Sequence, residues 1–340
     1  MDTVFTILCG LLLLTALVTS HEFGHFIVGK ACGIKINEFS IGFGPKLLSR
    51  VSKKDGIRYS VRLLPLGGYV AFLGEDDADD DPNAFCNVSV LKRALTTFAG
   101  PFFNILVTVL ISIGVLAFYG DYTPVIQEAT IGMPAYEAGI EAGDRIVGVD
   151  GQKIDFITEF SLAFMRNENE SVALSVERNG EILDFDIPFA IDENGDKKIG
   201  ILYMQERHRF GFFESVPLSF KWMGILTEEM YTTLGDLFFR GEGIENFAGP
   251  VGSATIIGAA VRSSFETVLR LLTMLSLNLA VMNLLPFPAL DGGRLVLLLI
   301  EKIRGKALPK EKEAIINLVG LVVLFGFMIF LTYKDIVRLF

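Results

Sequence analysis

Long uncharged apolar stretches, separated by charged segments, organise this chain. No charged residue lies between Thr3 and Ser20, and a second uncharged stretch covers 94–120. Two further apolar stretches follow, one ending near Leu285 and one over 315–333. A helix needs ~20 mostly apolar residues to cross the core of a bilayer. The pattern therefore predicts about four membrane-spanning helices, the first of them over 4–30.

Apolar and polar residues partly alternate over 58–74, on either side of a Pro-Leu-Gly-Gly turn at 65–68. Alternation flanking a glycine-rich turn is typical of a β-hairpin. Two interpretations remain open. The hairpin is an ordinary amphipathic surface element, or it offers an edge strand to a bound peptide. In the second case the residues that clamp the peptide are those of the turn: Leu66, Gly67, Gly68 and Tyr69.

The character of the chain changes at residue 121, where a charged segment rich in short strands begins. Strands are expected over 125–126, 145–149, 172–177 and 182–187, and helices over 135–139 and 156–165. The stretches 133–139 and 143–151 resemble the short helix and the strand-turn signature of PDZ domains. The next segment, 206–265, mixes aromatic residues with charges, which is typical of helices at a membrane surface. We therefore expect four parts: 1–120, 121–205, 206–265 and 266–340.

Composition excludes some classes of function. The 340 residues carry a formal net charge of −10, which argues against nucleic-acid binding through a basic face. The three cysteines have no CxxC spacing and suggest neither a disulfide framework nor a cysteine zinc site. Asp2 occupies the place of a basic leader region, so we do not expect a signal peptide.

Candidate chemistry lies at the end of the first apolar stretch, in the sequence His-Glu-Phe-Gly-His at 21–25. Residues four apart share one face of a helix, so His21 and His25 can bind one metal ion, with Glu22 beside them as a general base. A chance match in an ordinary helix is the alternative. Ionisable residues within a membrane helix are costly and usually functional, which favours the metal site.

A third ligand is needed, because a catalytic zinc takes three protein ligands and keeps one position for water. The remaining histidine, His208, follows the PDZ-like segment and is expected at a surface or interface. Asp291 is the best candidate, since it lies where prolines interrupt an apolar stretch. The alternative is an aspartate that caps a helix end.

Three motifs together resemble the site-2 protease family, in particular the bacterial regulated intramembrane zinc metalloproteases with one PDZ domain. They are the residues 21–25, 100–104 and 283–293, in the order of the family. The last motif contributes the supporting residues Asn283, Pro286, Pro288 and Gly292. The resemblance implies a polytopic α-helical membrane protein with a membrane-associated β-hairpin and an inserted extracytoplasmic α+β PDZ domain.

The same resemblance implies a zinc metalloendopeptidase with one Zn²⁺ per chain, bound by His21, His25 and Asp291, with Glu22 as the catalytic residue. Asn104 is expected to bind the substrate backbone or stabilise the oxyanion, with helix packing as the alternative. The substrates would be single-span membrane proteins, such as anti-sigma regulators after a first extracytoplasmic cut, or remnant signal peptides. The PDZ domain would bind a peptide C-terminus or exclude substrates by size.

A second class of function is a non-proteolytic membrane protein, either a PDZ-bearing scaffold or a zinc carrier. A scaffold does not need Glu22, and a carrier would need polar residues on several spans.

Lysine and arginine set the expected orientation. They are concentrated in the loops 30–93 and 302–312, and such basic loops stay in the cytoplasm. We therefore expect a multi-pass protein of the bacterial inner membrane. Both termini and the PDZ domain would be extracytoplasmic, and the active site would lie toward the cytoplasm. Lys334 and Arg338, close to the last apolar stretch, argue mildly against this orientation.

Overall fold

Four helices in the described part of the chain are long and apolar enough to cross a membrane. The computed structural model describes residues 2–75, 77, 79–192, 195, 197–244 and 247–338. Its elements in chain order are α1 (Asp2–Ala31), β1 (Ile36–Val51), β2 (Arg58–Phe72), α2 (Val90–Phe118), β3 (Asp121–Ala129), α3 (Pro134–Glu137), β4 (Arg145–Val149), β5 (Gln152–Lys153), α4 (Ile157–Arg166), β6 (Ser171–Arg178), β7 (Glu181–Pro188), β8 (Ala190–Ile191), β9 (Lys197–Lys198), β10 (Ile201–His208), α5 (Phe212–Gly235), a π-helical turn (Asp236–Arg240), α6 (Pro250–Ser263), α7 (Phe265–Leu284), α8 (Asp291–Arg304) and α9 (Lys310–Val337).

The four candidate spans are Leu8–Ala31 of α1 together with α2, α7 and α9. Their positions agree with the four apolar stretches of the sequence. The chain forms two compact units, one made of Met1–Ile113 and Val216–Phe340 and the other of Gly114–Ser215. All four spans contribute to the first unit, and the strand-rich segment makes up most of the second.

The strands β1 and β2 form a sheet of their own in the first unit, and this corrects the predicted hairpin. Residues 38–41 of β1 pair both with 58–61 and with 68–71 of β2, so the two halves of β2 flank β1 instead of pairing with each other. The Pro-Leu-Gly-Gly stretch lies inside β2, where Gly67 has φ +126°. The prediction over 58–74 was wrong about the partner, because the glycine-marked stretch 36–51 was not interpreted as a strand.

An apolar cluster anchors this sheet to the end of α1. It contains Phe26, Ile34, Phe72 and Phe85, all less than a tenth exposed. The contact with α1 is close, since a Cβ at Gly29 would lie 2.4 Å from the ring of Phe72. The sheet is therefore held against the helix that carries the two histidines.

The second unit is built on a sheet with the strand order β10-β3-β4-β6-β7, and β5 pairs with β4. Its core is aliphatic and includes Ile126, Ile146, Leu174 and Ile187, which are essentially unexposed. The observed β4, β6, β7, α3 and α4 match the expected elements within a few residues. β10, which pairs with β3, was not predicted and extends past the expected boundary at 205.

The amphipathic segment after this unit is helical, as predicted, and consists of α5, the π-helical turn and α6. The helix α6 begins at Pro250, with Gly249 as its N-cap. Asp335 of α9 accepts a hydrogen bond of 2.7 Å from the Gly252 N–H and so satisfies an otherwise unpaired donor in the first turn of α6. The short helix α8 was not predicted.

Candidate metal centre

His21 and His25 lie on one face of α1, and their side chains converge with that of Asp291 at the start of α8. The two Nε2 atoms are 3.2 Å apart. The Asp291 Oδ2 atom lies 3.0 Å from the His21 Nε2 and 3.4 Å from the His25 Nε2. Both histidines are buried. The structure thus brings together the three residues predicted to bind the metal.

The spacing of these three atoms fits one tetrahedral ion. Bonds of ~2.0–2.1 Å leave neighbouring ligand atoms of a tetrahedron about 3.3 Å apart. Two imidazoles and one carboxylate also form a common ligand set of catalytic zinc, which keeps a further position open. The residues present therefore fit a zinc ion.

Gly100 of α2 leaves room for the two imidazole rings. A Cβ at this position would lie 2.3 Å from the His25 Nε2 and 2.8 Å from the His21 Nε2. Directly before His25, a Cβ at Gly24 would lie 2.3 Å from the Ala99 carbonyl oxygen. Glycines of this kind let two membrane helices approach closely. The close approach of α1 and α2 at Gly24 and Gly100 therefore shapes the metal centre.

The second nitrogen of each histidine faces a polar group on α2. The His25 Nδ1–H donates to the Thr96 carbonyl oxygen over 2.8 Å, which leaves the Nε2 lone pair free for a metal. The His21 Nδ1 lies 3.4 Å from the side-chain amide of Asn104. The Ser20 hydroxyl donates to the other end of that amide over 2.7 Å. Both rings are therefore oriented from α2.

Asn104 is fully buried, with 0% exposure, behind His21. With its amide turned over, Asn104 would present its oxygen to the His21 Nδ1–H. That arrangement would also leave the Nε2 of His21 free to bind a metal. The substrate or oxyanion role of Asn104 stays a prediction, and the contact with His21 is what the structure adds.

Glu22 lies beside the three converging ligand atoms and contacts the sheet. Its Oε2 accepts a hydrogen bond of 3.1 Å from the Val70 N–H of β2. The residues just before Val70 run along α1, since the Thr15 hydroxyl donates to the Pro65 carbonyl oxygen and a Cβ at Gly67 would lie 3.0 Å from Val18. The candidate general base is therefore in contact with the stretch predicted to hold substrate.

The four predicted clamping residues have different surroundings. Leu66 is exposed, and Gly67 lies against α1. Gly68 packs on β1, where a Cβ would lie 2.6 Å from the Ser40 carbonyl oxygen. The Tyr69 hydroxyl accepts a hydrogen bond of 2.6 Å from Arg62. The segment thus has one side fixed by β1 and the other facing α1.

A polar cluster inside the sheet fixes this segment further. The Glu38 carboxylate accepts hydrogen bonds from Ser60 over 2.6 Å and from Arg62 over 2.9 Å. Burial alone would raise the pKa of Glu38, but these hydrogen bonds and the nearby Lys46 outweigh it and lower the pKa to about 2. Glu38 is therefore an anion at neutral pH and joins both halves of β2 through Arg62.

The motif before Asp291 is an irregular segment packed against helices. Asn283 donates to the Leu279 carbonyl oxygen over 2.9 Å, and α7 ends one residue later. Pro286 lies in the segment that follows, and a Cβ at Gly320 of α9 would lie 2.6 Å from the Pro288 Cβ. A Cβ at Gly292 would lie 2.2 Å from the Leu285 carbonyl oxygen.

Two ion pairs that the sequence analysis missed hold α8 in place. Arg93 of α2 forms two hydrogen bonds with Glu301, one of them 3.0 Å long. Arg294 lies 2.5 Å from Glu75, next to a polar cavity of about 310 Å³ that borders Asp291. The sequence offered only weak signals for these pairs, namely charges close to the ends of apolar stretches.

His208 lies in the second unit, in β10, where its ring contacts Phe210.

The sequence matches a known protein family over most of its length. The sequence profile described as Peptidase family M50 matches residues 9–327. A Clostridium perfringens protein assigned as a zinc metalloprotease is 34% identical over 333 residues, covering 97% of this chain and 98% of its own length. The zinc metalloprotease RasP of Geobacillus kaustophilus is 29% identical over 424 residues, covering 100% and 99%.

Solved structures match a smaller part of the chain. The PDZ domain of an SdrC-like protein from Listeria innocua is 27% identical, with 26% of this chain and 99% of that domain covered and a TM-score of 0.22.

Proposed function

Because the chain belongs to Peptidase family M50, the site-2 proteases, and is a multi-pass intramembrane zinc metalloprotease, we propose that it hydrolyses peptide bonds within or near the transmembrane segments of single-span proteins. The observation that carries this proposal is the position of Glu22. It lies beside the His21, His25 and Asp291 side chains and also contacts the backbone of β2. A metal site and a peptide-binding strand therefore meet at one carboxylate.

His21, His25 and Asp291 would hold the single zinc ion. When bound there, zinc supplies a Lewis acid that lowers the pKa of water to ~7 and polarises the scissile carbonyl. Glu22 accepts the proton of the attacking water and returns it to the leaving amine. Thr96 orients His25 throughout this sequence, and the polar cavity beside Asp291 gives water a route to the site.

The stretch 66–70 of β2 would hold the substrate as an added strand. Proteases cleave extended chain more readily than helix, because the helical backbone is shielded. The Val70 N–H points away from β1 toward Glu22, so this side of the strand is not used by the ladder with β1. Main-chain pairing at this edge would place a substrate carbonyl close to Glu22.

The second unit would bind or exclude substrates. A groove of about 480 Å³ lies between α4 and the chain at 197–203, lined by Phe160, Phe164, Ile201 and Tyr203. An apolar groove beside the edge strand β10 suits the C-terminus of a peptide. The alternative role of this unit is to exclude substrates that are too large. Both kinds of substrate, anti-sigma regulators after a first cut and remnant signal peptides, are included in this proposal.

We place the protein in the bacterial inner membrane with both termini and the PDZ-like unit outside. The support is the concentration of lysine and arginine in the loops 30–93 and 302–312. Lys334 argues less strongly against this orientation than its place in the sequence suggests, because its Nζ donates to the Phe247 carbonyl oxygen over 2.7 Å.

The test is cleavage of a labelled single-span protein by the full chain reconstituted in liposomes. The wild type should cleave, a zinc chelator should stop cleavage, and added zinc should restore it. Glu22→Gln should abolish cleavage while the zinc content, measured by atomic absorption, stays unchanged. Full cleavage by Glu22→Gln would end the role of Glu22. Zinc binding without any cleavage by the wild type would favour a carrier or a scaffold instead.

A further inference from the structure

The edge of β2 that faces away from β1 presents a row of backbone N–H groups. Neighbouring N–H groups of a strand point to opposite sides of it, so those of Gly68, Val70 and Phe72 share this edge. The next N–H along the chain, that of Leu73, donates to the Lys35 carbonyl oxygen over 2.9 Å, on the side of β1. Because the substrate is proposed to add along the outer edge, the end of this row decides how much of a substrate can pair.

Glu75 covers the last N–H of this row. Its Oε2 accepts a hydrogen bond of 3.3 Å from the Phe72 N–H. Gly74, at φ +72°, turns the chain back, so that the carboxylate reaches the strand that the chain has just left. A Cβ at Gly74 would lie 2.8 Å from the Ala84 Cβ, so the turn is also tightly packed. The outer edge is therefore closed directly after Val70.

Arg294 of α8 holds the Glu75 carboxylate in this position. Its guanidinium lies 2.5 Å from the Glu75 Oε1, which leaves the Oε2 for the Phe72 N–H. The guanidinium also lies over the Phe85 ring, 4.3 Å from the ring centroid, and the Phe85 and Phe72 rings are in contact, with centroids 5.5 Å apart. A planar guanidinium is suited to pairing with a carboxylate and stacking on an aromatic ring at once. The carboxylate is therefore fixed through both of its oxygens.

The surroundings of the edge change at this ion pair. The polar cavity of about 310 Å³ is lined by Glu75 and Arg294 together with Asp291. A chain that leaves the edge here meets polar walls instead of further strand. We propose that the Glu75–Arg294 pair is an end stop for the substrate strand, which excludes registers that extend past Val70 and so restricts which bond reaches Glu22. This proposal rests on the proposed proteolytic function and on strand addition at β2.

The period of a strand makes the effect of losing this end stop specific. A slip by one residue turns every side chain to the other face, whereas a slip by two residues keeps the faces. With the Phe72 N–H uncovered, a substrate strand can move by two residues toward it and pair with it. Movement in the opposite direction gains no new partner. Loss of the end stop should therefore add cleavage at one further bond, two residues from the first and on one side only.

The test uses the full chain in liposomes and maps the cleaved bond by mass spectrometry. The probe is a single-span peptide of about 20 apolar residues without internal repeats, so that each product mass identifies one bond. Glu75→Ala should yield a second product, displaced by two residues. Glu301→Ala is the matched control, because it breaks the ion pair of α8 with Arg93, leaves the Phe72 N–H covered, and should cleave only at the original bond. A single unchanged bond in Glu75→Ala, or the same shift in both variants, would overturn the proposal.

A second measurement does not depend on turnover. In a chain with Glu22→Gln and the three cysteines replaced by serine, Leu66→Cys, at an exposed position of β2, is oxidised together with probes that carry one cysteine each. Only cysteines that lie close together form a disulfide, so the most reactive probe position reports the register. Addition of Glu75→Ala should move this position by two residues, and an unmoved position would overturn the end stop. If the register moves in this way while the wild type never cleaves the probe, the proteolysis is refuted and the end stop stands.

Discussion

At the scale of single residues, the metal centre depends as much on an absent side chain as on the ligands. Gly100 provides the space in which the Nε2 atoms of His21 and His25 converge with Asp291. A methyl group 2.3 Å from a ring nitrogen cannot be accommodated unless the ring moves. The geometry of the ligand set is therefore encoded on α2 as well as on α1.

We expect Gly100→Ala to lose most of its zinc and its cleavage activity while the helix itself is kept. Alanine is favoured over glycine in a helix by about 1 kcal/mol, so unfolding of α2 is not the expected cause. Zinc per purified chain, measured by atomic absorption, checks this. Gly114→Ala is the matched control on α2, since a Cβ there meets no described atom within 4 Å. Full zinc occupancy in Gly100→Ala would contradict the steric argument.

Asn104→Leu should weaken zinc binding about 10- to 100-fold, the usual effect of losing a group that orients a metal-bound histidine. The affinity follows from competition with a chelator of known strength. Thr108→Val, also fully buried on α2 and bonded to the Thr273 carbonyl oxygen, is the control and should bind zinc normally. If Asn104→Leu keeps its zinc affinity and only kcat falls, the residue acts on substrate, as predicted from the sequence.

The sequence was sufficient to select the three candidate ligands that the structure brings together. His21 and His25 share a helix face by their spacing, and a carboxylate in a proline-interrupted apolar stretch was the remaining candidate for the third ligand. The hydrogen bonds from Thr96 and Asn104 could not be predicted in this way. They depend on which residues of α2 face each ring, and this follows from how the two helices pack and not from the spacing within either helix.

At the scale of elements, the strand β2 is the part of the site that the sequence misjudged. The alternation was correctly identified as strand, but the Pro-Leu-Gly-Gly stretch lies inside β2 instead of forming the turn of a hairpin, and local patterns do not name the partner of a strand. The partner is β1, and its insertion between the halves of β2 leaves residues 66–70 next to α1. The position of β2 thus follows from long-range packing through Phe26 and Phe72.

Val70→Pro should slow cleavage about tenfold or more, because proline removes the N–H that orients Glu22. An N–H on the outer edge of a strand can be lost without breaking the ladder, so the sheet should persist. Val70→Ala, which keeps the N–H, is the control for the side chain. The measurement is kcat for the single-span substrate together with zinc content. A loss of zinc in Val70→Pro would mean that the sheet supports the ligands instead.

At the scale of the whole molecule, any proposed orientation in the membrane has to account for two compact units and for the four apolar helices that the structure describes. Composition predicted the helices well, since uncharged stretches of this length have few alternatives. Local patterns also gave four of the eight strands described in the second unit, namely β3, β4, β6 and β7. The helix α8 was missed, because its first residues read as the end of an interrupted span.

Cysteine labelling in intact cells tests the proposed orientation. In a chain whose three cysteines are replaced by serine, Glu181→Cys should react with a membrane-impermeant maleimide from outside. Lys53→Cys and Lys306→Cys should react only after the membrane is permeabilised, because basic loops stay inside. All three side chains are exposed, so accessibility within the fold does not decide the result. Labelling of Lys53→Cys from outside would reverse the orientation.

The proposed ligands His21 and Asp291 are separated by 270 residues. A ribosome therefore releases the first span, the strands and the whole second unit before the residue that completes the centre has been translated. If Asp291 is the third ligand, the nascent chain is inert until then, however well its earlier parts have folded. By the same reasoning, translation products that end before Asp291 would be inert, and a cell that makes this enzyme would be protected from incomplete copies of it.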